Sequence, residues 1–144
     1  MVVGQVGAGK SSLLMGCLSE LKHSVADGDE RSGIYKAADS RVAYCAQQPW
    51  ILATSVQENI TIAAPSTNVS GGDSVATQES NNNRYKTAIE SCMLEVDMLQ
   101  WPMGDATQIG ERGITVSGGQ KARISLARAV YSDADLYLLG KTAQ

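Results

Sequence analysis

The sequence predicts an α/β fold in which short buried strands alternate with helices. Three observations lead there. A glycine-rich loop, GQVGAGKSS at Gly4–Ser12, stands between the apolar stub Met1–Val3 and a helical pattern that begins at Lys10. Two apolar runs of strand length, RVAYCA at Arg41–Ala46 and LYLL at Leu136–Leu139, lie far apart in the chain. Helical periodicities fall between these runs, the order that builds parallel sheets. At 144 residues the chain fits one domain, or a piece of a larger one, with room for a core.

Each element has its own signal. Met1–Val3 reads as the stub of a buried strand entering the glycine loop. From Lys10 to Lys22, Leu14, Leu18 and Leu21 recur at helical spacing with Leu13 and Cys17 beside them, which predicts a helix with one buried face. His23, the only histidine, closes that helix and reads as a solvated residue near its negative end. Asp27–Gly33 is a polar turn, after which Arg41–Ala46 forms a strand that delivers Gln47, Gln48, Pro49 and Trp50. Ser55-Val56-Gln57-Glu58 has the spacing of a capping box, so a short helix begins there. Ala64–Asn83 (APSTNVSGGDSVATQESNNN) is poor in apolar residues and is expected to be a mobile surface insertion. Order is expected to resume with Tyr85, Ala88, Ile89 and Cys92 at helical spacing. Leu136–Leu139, led by Asp133 and Asp135, is expected to be a buried parallel strand.

Composition narrows the function. Apolar residues make up 43% of the chain and aromatics 5%, with no Phe, so Leu, Ile, Val and Ala must fill the interior. A net charge of −3 argues against nucleic acid as the main partner, because phosphate-backbone binding wants a basic face. Cys17, Cys45 and Cys92 are widely spaced and odd in number, which fits reduced, mostly buried thiols better than a metal pair or a disulfide framework. No apolar run approaches the roughly 20 residues of a membrane helix, and no signal peptide opens the chain. The sequons Asn59-Ile60-Thr61 and Asn68-Val69-Ser70 are therefore read as chance.

Gly4-x-x-x-x-Gly9-Lys10-Ser11 is a full P-loop pattern. Glycines let the backbone curl so that successive N–H groups point at phosphate oxygens. Lys10 adds positive charge near the β- and γ-phosphates, the Ser11 hydroxyl is placed to ligate Mg²⁺, and the helix turns its positive end toward the anion. More than a hundred residues later, Ser117-Gly118-Gly119-Gln120 precedes KARISLARAV, in which Ile124, Ala127 and Val130 keep helical spacing. Ser117 and Gln120 again have capping-box spacing, and two glycines at the helix mouth allow close approach by a ligand.

With these residues in place the chain resembles the nucleotide-binding domains of ABC transporters. VVGQVGAGKSSLL, VAYCAQQPWI, QENI, RYKTAIESCML, GDATQIGERGITVSGGQKARISLARAVY and ADLYLL all read like subfamily C, the multidrug-resistance-associated and sulfonylurea-receptor type. The resemblance implies a P-loop NTPase fold with the ABC-type ATPase core and an inserted helical subdomain. It assigns 1–50 and 114–144 to the core, and about 51–113, with the insertion 64–83, to the subdomain. Gly4, Gln5, Val6, Gly7, Ala8, Gly9, Lys10, Ser11 and Ser12 would cradle the triphosphate of ATP. Ser11 and Gln47 would ligate Mg²⁺, with Gln48 taking the place of Gln47 if the register slips by one. Ser117, Gly118, Gly119 and Gln120 would meet ATP held by a second such domain in a head-to-tail pair. Trp50–Asn59 would face the transmembrane domains of a transporter at the cytoplasmic side of a membrane. Val116 stands where the family usually has Leu, a mild apolar change.

The resemblance breaks after Leu139. The family strand would end in an Asp that orders Mg²⁺ and its water, followed by an acidic residue that polarises the water; here Gly140 and Lys141 stand instead. The later switch histidine and the aromatic that stacks on adenine have no counterpart. The chain thus reads as an incomplete, truncated ATP-binding fragment, not hydrolytically competent alone, of a transporter that couples ATP hydrolysis to substrate movement. The alternative is a non-catalytic nucleotide-binding regulatory module.

Overall fold

The computed structural model describes residues 1–21, 40–64, 75–110 and 113–140. Along these residues run α1 (Lys10–Cys17), β1 (Val42–Cys45), α2 (Val56–Thr61), α3 (Val75–Ser91), α4 (Glu95–Met98), α5 (Gly118–Tyr131) and β2 (Leu136–Leu139), with a 3-10 turn at Gly104–Ala106. None of these helices is long and apolar enough to cross a membrane.

β1 and β2 pair in parallel, from Val42 opposite Leu136 to Cys45 opposite Leu139. Arg41 starts the register: its carbonyl accepts from the amides of Asp135 and Leu136, and its own N–H donates to Asp135 Oδ2 at 2.8 Å. The acidic lead-in to β2 is therefore a cap on the strand pair.

The main core forms where α5 meets α2 and α3. Ile124, Ala127 and Tyr131 lie on one face of α5 and pack with Val56, Ile60, Ala88, Ile89, Cys92 and Leu94. A smaller cluster of Ala43, Cys45 and Ala129 joins α5 to β1. Burial pushes the Cys92 thiol up to about 11, which keeps it neutral. Cys45 is likewise buried, Cys17 is half-buried, and all three are free thiols.

A buried cation fastens these layers. Arg128 Nε donates to the Asn59 carbonyl (2.7 Å), Nη2 to Asn59 Oδ1 (3.1 Å) and Nη1 to the Trp50 carbonyl (3.2 Å). Its guanidinium also stacks 3.6 Å from the centroid of the Trp50 ring. Asn59 completes the knot, accepting from the Leu52 amide and donating to the carbonyls of Leu52 and Ser55. Fully buried inside α2, Asn59 cannot serve as a glycosylation acceptor.

Several sequence expectations hold. β1, the capping box at Ser55, the helix opened by Ser117 and the packing of Tyr85, Ala88, Ile89 and Cys92 all appear as read. Others need correction. Met1–Val3 forms no strand and is exposed, because the sheet of described residues has two strands and neither lends it a partner. α1 ends at Cys17 rather than Lys22, where Ser19 takes a left-handed conformation (φ 64°). It has no buried residue, so the expected apolar face has nothing to cover it. β2 buries only Leu138, since one face of a two-stranded sheet meets α5 and the rest stays open. α3 begins at Val75, well before Tyr85. Once its packed half is formed, each upstream residue adds a hydrogen bond without a new nucleation cost. The rest of the expected insertion, 65–74, lies outside the described residues, as do His23, the Asp27–Gly33 turn and the Asn68 sequon.

Two stability outcomes follow. Asn59→Ala strands Arg128 and the Leu52 amide, and lowers unfolding free energy by about 2–3 kcal/mol, read as a fall in the urea midpoint at unchanged slope. Ser55→Ala removes only a helix cap and costs about 1 kcal/mol in the same assay.

Candidate functional site

The two helix beginnings that the sequence singles out are built differently. At α1 the N-cap is Gly9, with φ 82° and no side chain accepting from the first-turn N–H groups. Gly7 is also left-handed, at φ 86°. Nothing lies within 4 Å of where a Cβ would project from either glycine, so both left-handed positions are free of neighbouring atoms on that side. Ala8 N–H closes the loop on the Gln5 carbonyl at 3.2 Å. Lys10 Nζ donates to the carbonyls of Gly4 (2.7 Å) and Gln5 (2.6 Å), leaving one of the three ammonium donors to spare. Gln5, Val6, Ser11 and Ser12 are exposed around it. This places unspent helix-start amides, an ammonium and two hydroxyls at one end of α1, donors of the kind an anion with several oxygens requires.

At α5 the donors are partly spent. Ser117 Oγ accepts from the Gln120 amide at 3.2 Å, and Gln120 Oε1 accepts from the Ser117 amide at 2.8 Å. Gln120 Nε2 then donates to Asp97 Oδ1 at 3.2 Å. Arg123, one turn further on, grips the same carboxylate with Nε (2.7 Å to Oδ2) and Nη2 (2.8 Å to Oδ1). Arg123's hydrogen bonds, chiefly, and Gln120's hold the Asp97 carboxyl below the usual carboxylate range although burial opposes them. Ser117, Gly118 and Gly119 face solvent. The expected contact surface is therefore accessible to a neighbouring molecule.

Gln47 and Gln48 follow β1 and are exposed. The end of β2 presses on this segment: Gly140 N–H donates to the Cys45 carbonyl at 2.8 Å. A Cβ on Gly140 would stand 2.7 Å from the Gln47 amide nitrogen, so this approach admits only glycine.

Among the described residues, no hydrogen bond or ion pair joins Gly4–Ser12 to Gln47, or either to Ser117–Gln120. No cluster of three or more His, Cys, Asp or Glu among the described residues could hold a metal ion. Sequence reasoning missed Asp97, Arg123 and Arg128. For Arg123 the one-turn spacing from Gln120 was a usable signal; Asp97 lies 23 residues before Gln120 and offered none.

Comparison with known proteins agrees with this construction. A family profile described as "ABC transporter" matches residues 1–142. Multidrug resistance protein mrp-7 of Caenorhabditis elegans is 44% identical over 96% of this chain and 8% of its own length. ATP-binding cassette sub-family C member 8 of Rattus norvegicus is 42% identical over 96% of this chain and 9% of its own. Sub-family C member 4 of Mus musculus is 44% identical over the same shares. The chain thus spans less than a tenth of the length of these relatives. It carries an ATP-binding domain sequence of P-loop NTPase type, homologous to those of C-subfamily transporters, and belongs to the ABC transporter family.

Proposed function

We propose that this chain binds MgATP at Gly4–Ser12 and offers Ser117–Gln120 to ATP held by a second domain of the same kind, arranged head to tail. The observation that carries this reading is the start of α1, whose first amides meet no capping side chain and which is entered through two left-handed glycines, Gly7 and Gly9. Residues 1–50 and 114–144 act as the nucleotide core. Residues 51–113, with the insertion 64–83 whose later part is helical, act as the helical subdomain. The segment Trp50–Asn59, through its exposed Trp50, Leu52, Gln57 and Glu58, meets the transmembrane domains of a parent transporter at the cytoplasmic face of a membrane.

The residues present suit a nucleotide-bound cation rather than a protein-caged one. Ser11 would offer a bound Mg²⁺ a hydroxyl and Gln47 an amide oxygen, with Gln48 next in line, and phosphates and water would supply its remaining ligands. That ion offsets phosphate charge when bound. Lys10 exchanges a loop carbonyl for a phosphate oxygen, and the first-turn amides of α1 orient the chain of phosphates. Hydrolysis needs a further group, a carboxylate to polarise the attacking water. Gly140 and Lys141 occupy the positions after β2, and neither is acidic. The parent's ATP-driven transport therefore draws on residues this sequence does not supply.

Binding of a fluorescent ATP analogue measures the first claim: Lys10→Ala weakens it about 10–100-fold, the worth of one charge-assisted hydrogen bond. Equal affinity for the two proteins contradicts it. Phosphate release stays at buffer background, about 10²–10⁴-fold below a chain with a working base. Gly140→Asp alone does not restore it, because Lys141, a cation, still stands where the water-polarising acid would be. Turnover by either protein contradicts the reading.

A further inference from the structure

We propose that Asp97 is a positioning residue for the mouth of α5: acting through Gln120 and Arg123, it fixes the direction in which Ser117, Gly118 and Gly119 present their donors. The inference rests on the reading of Ser117–Gln120 as half of a nucleotide site.

Gln120 sits inside that half-site, yet its side chain is occupied at both ends. The amide oxygen holds the Ser117 N–H and the amide nitrogen holds Asp97. It therefore acts as a strut between the cap and the carboxylate. A capping box by itself ties a helix end only to itself. Here the strut lands on a buried side chain of α4, a different segment, so the first turn of α5 is referred to the packed interior.

Charge makes the arrangement compatible with an anion. A lone buried carboxylate below a helix mouth would oppose phosphate. Arg123 meets it with two parallel hydrogen bonds, a geometry that only the planar guanidinium provides. Arg123 Nη1 is not engaged by Asp97 and lies 3.6 Å from where a Gly119 Cβ would project. The side of the cluster turned toward Gly119 is thus cationic.

The test uses the full chain with ¹⁵N labelling, and two readouts: amide hydrogen exchange, and self-association driven by MgATPγS in sedimentation velocity. Asp97→Asn cuts the bidentate pair; Gln120→Met severs only the strut and leaves that pair in place. Both variants speed exchange at the Ser117 and Gln120 amides about tenfold or more while Ile124, deeper in α5, keeps its protection. Asp97→Asn weakens nucleotide-driven self-association about tenfold with affinity for the fluorescent ATP analogue held within about twofold. Asp97→Glu recovers most of the loss. Unchanged exchange at Ser117 and Gln120 in Gln120→Met overturns the proposal. So does exchange that rises equally at Ile124, or equal losses of self-association and analogue binding, because Asp97 would then serve only the fold. If the unaltered chain shows no self-association with MgATPγS, the half-site reading falls, and the exchange data alone decide the strut.

Discussion

Arg128 sets the geometry on which the rest of the structure depends. A guanidinium keeps its proton even when burial lowers its pKa, so its N–H groups must find acceptors inside the fold. Three are supplied by Trp50 and Asn59, and the Trp50 ring covers the charge. Sliding or rotating α5 would strand that charge, at a cost of several kcal/mol. α2 and the segment after β1 are therefore locked to α5, and Ser117, at the far end of the same helix, inherits its position. Ala129 carries the constraint into β1, and through β1 to β2.

Local chemistry was legible in the sequence, and long-range chemistry was not. Both capping boxes could be read because the hydroxyl and the amide it accepts from lie three residues apart. The Arg41–Ala46 strand could be read because its apolar side chains concentrate in strand length. Met1–Val3 could not, since strand formation depends on a neighbour and not on the three residues themselves. The leucines after Lys10 have helical spacing, but spacing alone does not provide a surface to bury against. Asp97, Arg123 and the Arg128–Asn59 knot join positions tens of residues apart and became visible only once α5 was packed.

The candidate site shows the same division. Of the two left-handed glycines, Gly9 is written into the P-loop pattern, as the pair of glycines after Ser117 is into the second motif. What the sequence did not disclose is that α1 spends none of its first-turn amides on a cap, whereas α5 spends one and ties the cap to a buried carboxylate. One helix start is left without a side-chain cap. The other is braced to present a surface outward. This difference suits two unequal halves of a site completed between molecules.

The most direct measurement is an amide chemical-shift map of the ¹⁵N-labelled chain titrated with MgATP at low protein concentration. The account predicts that Gly7, Gly9, Lys10 and Ser11 shift together and saturate, while Ile124 and Tyr131 stay still. Absence of a saturable shift in Gly4–Ser12, or saturation confined to other parts of the chain, would contradict it.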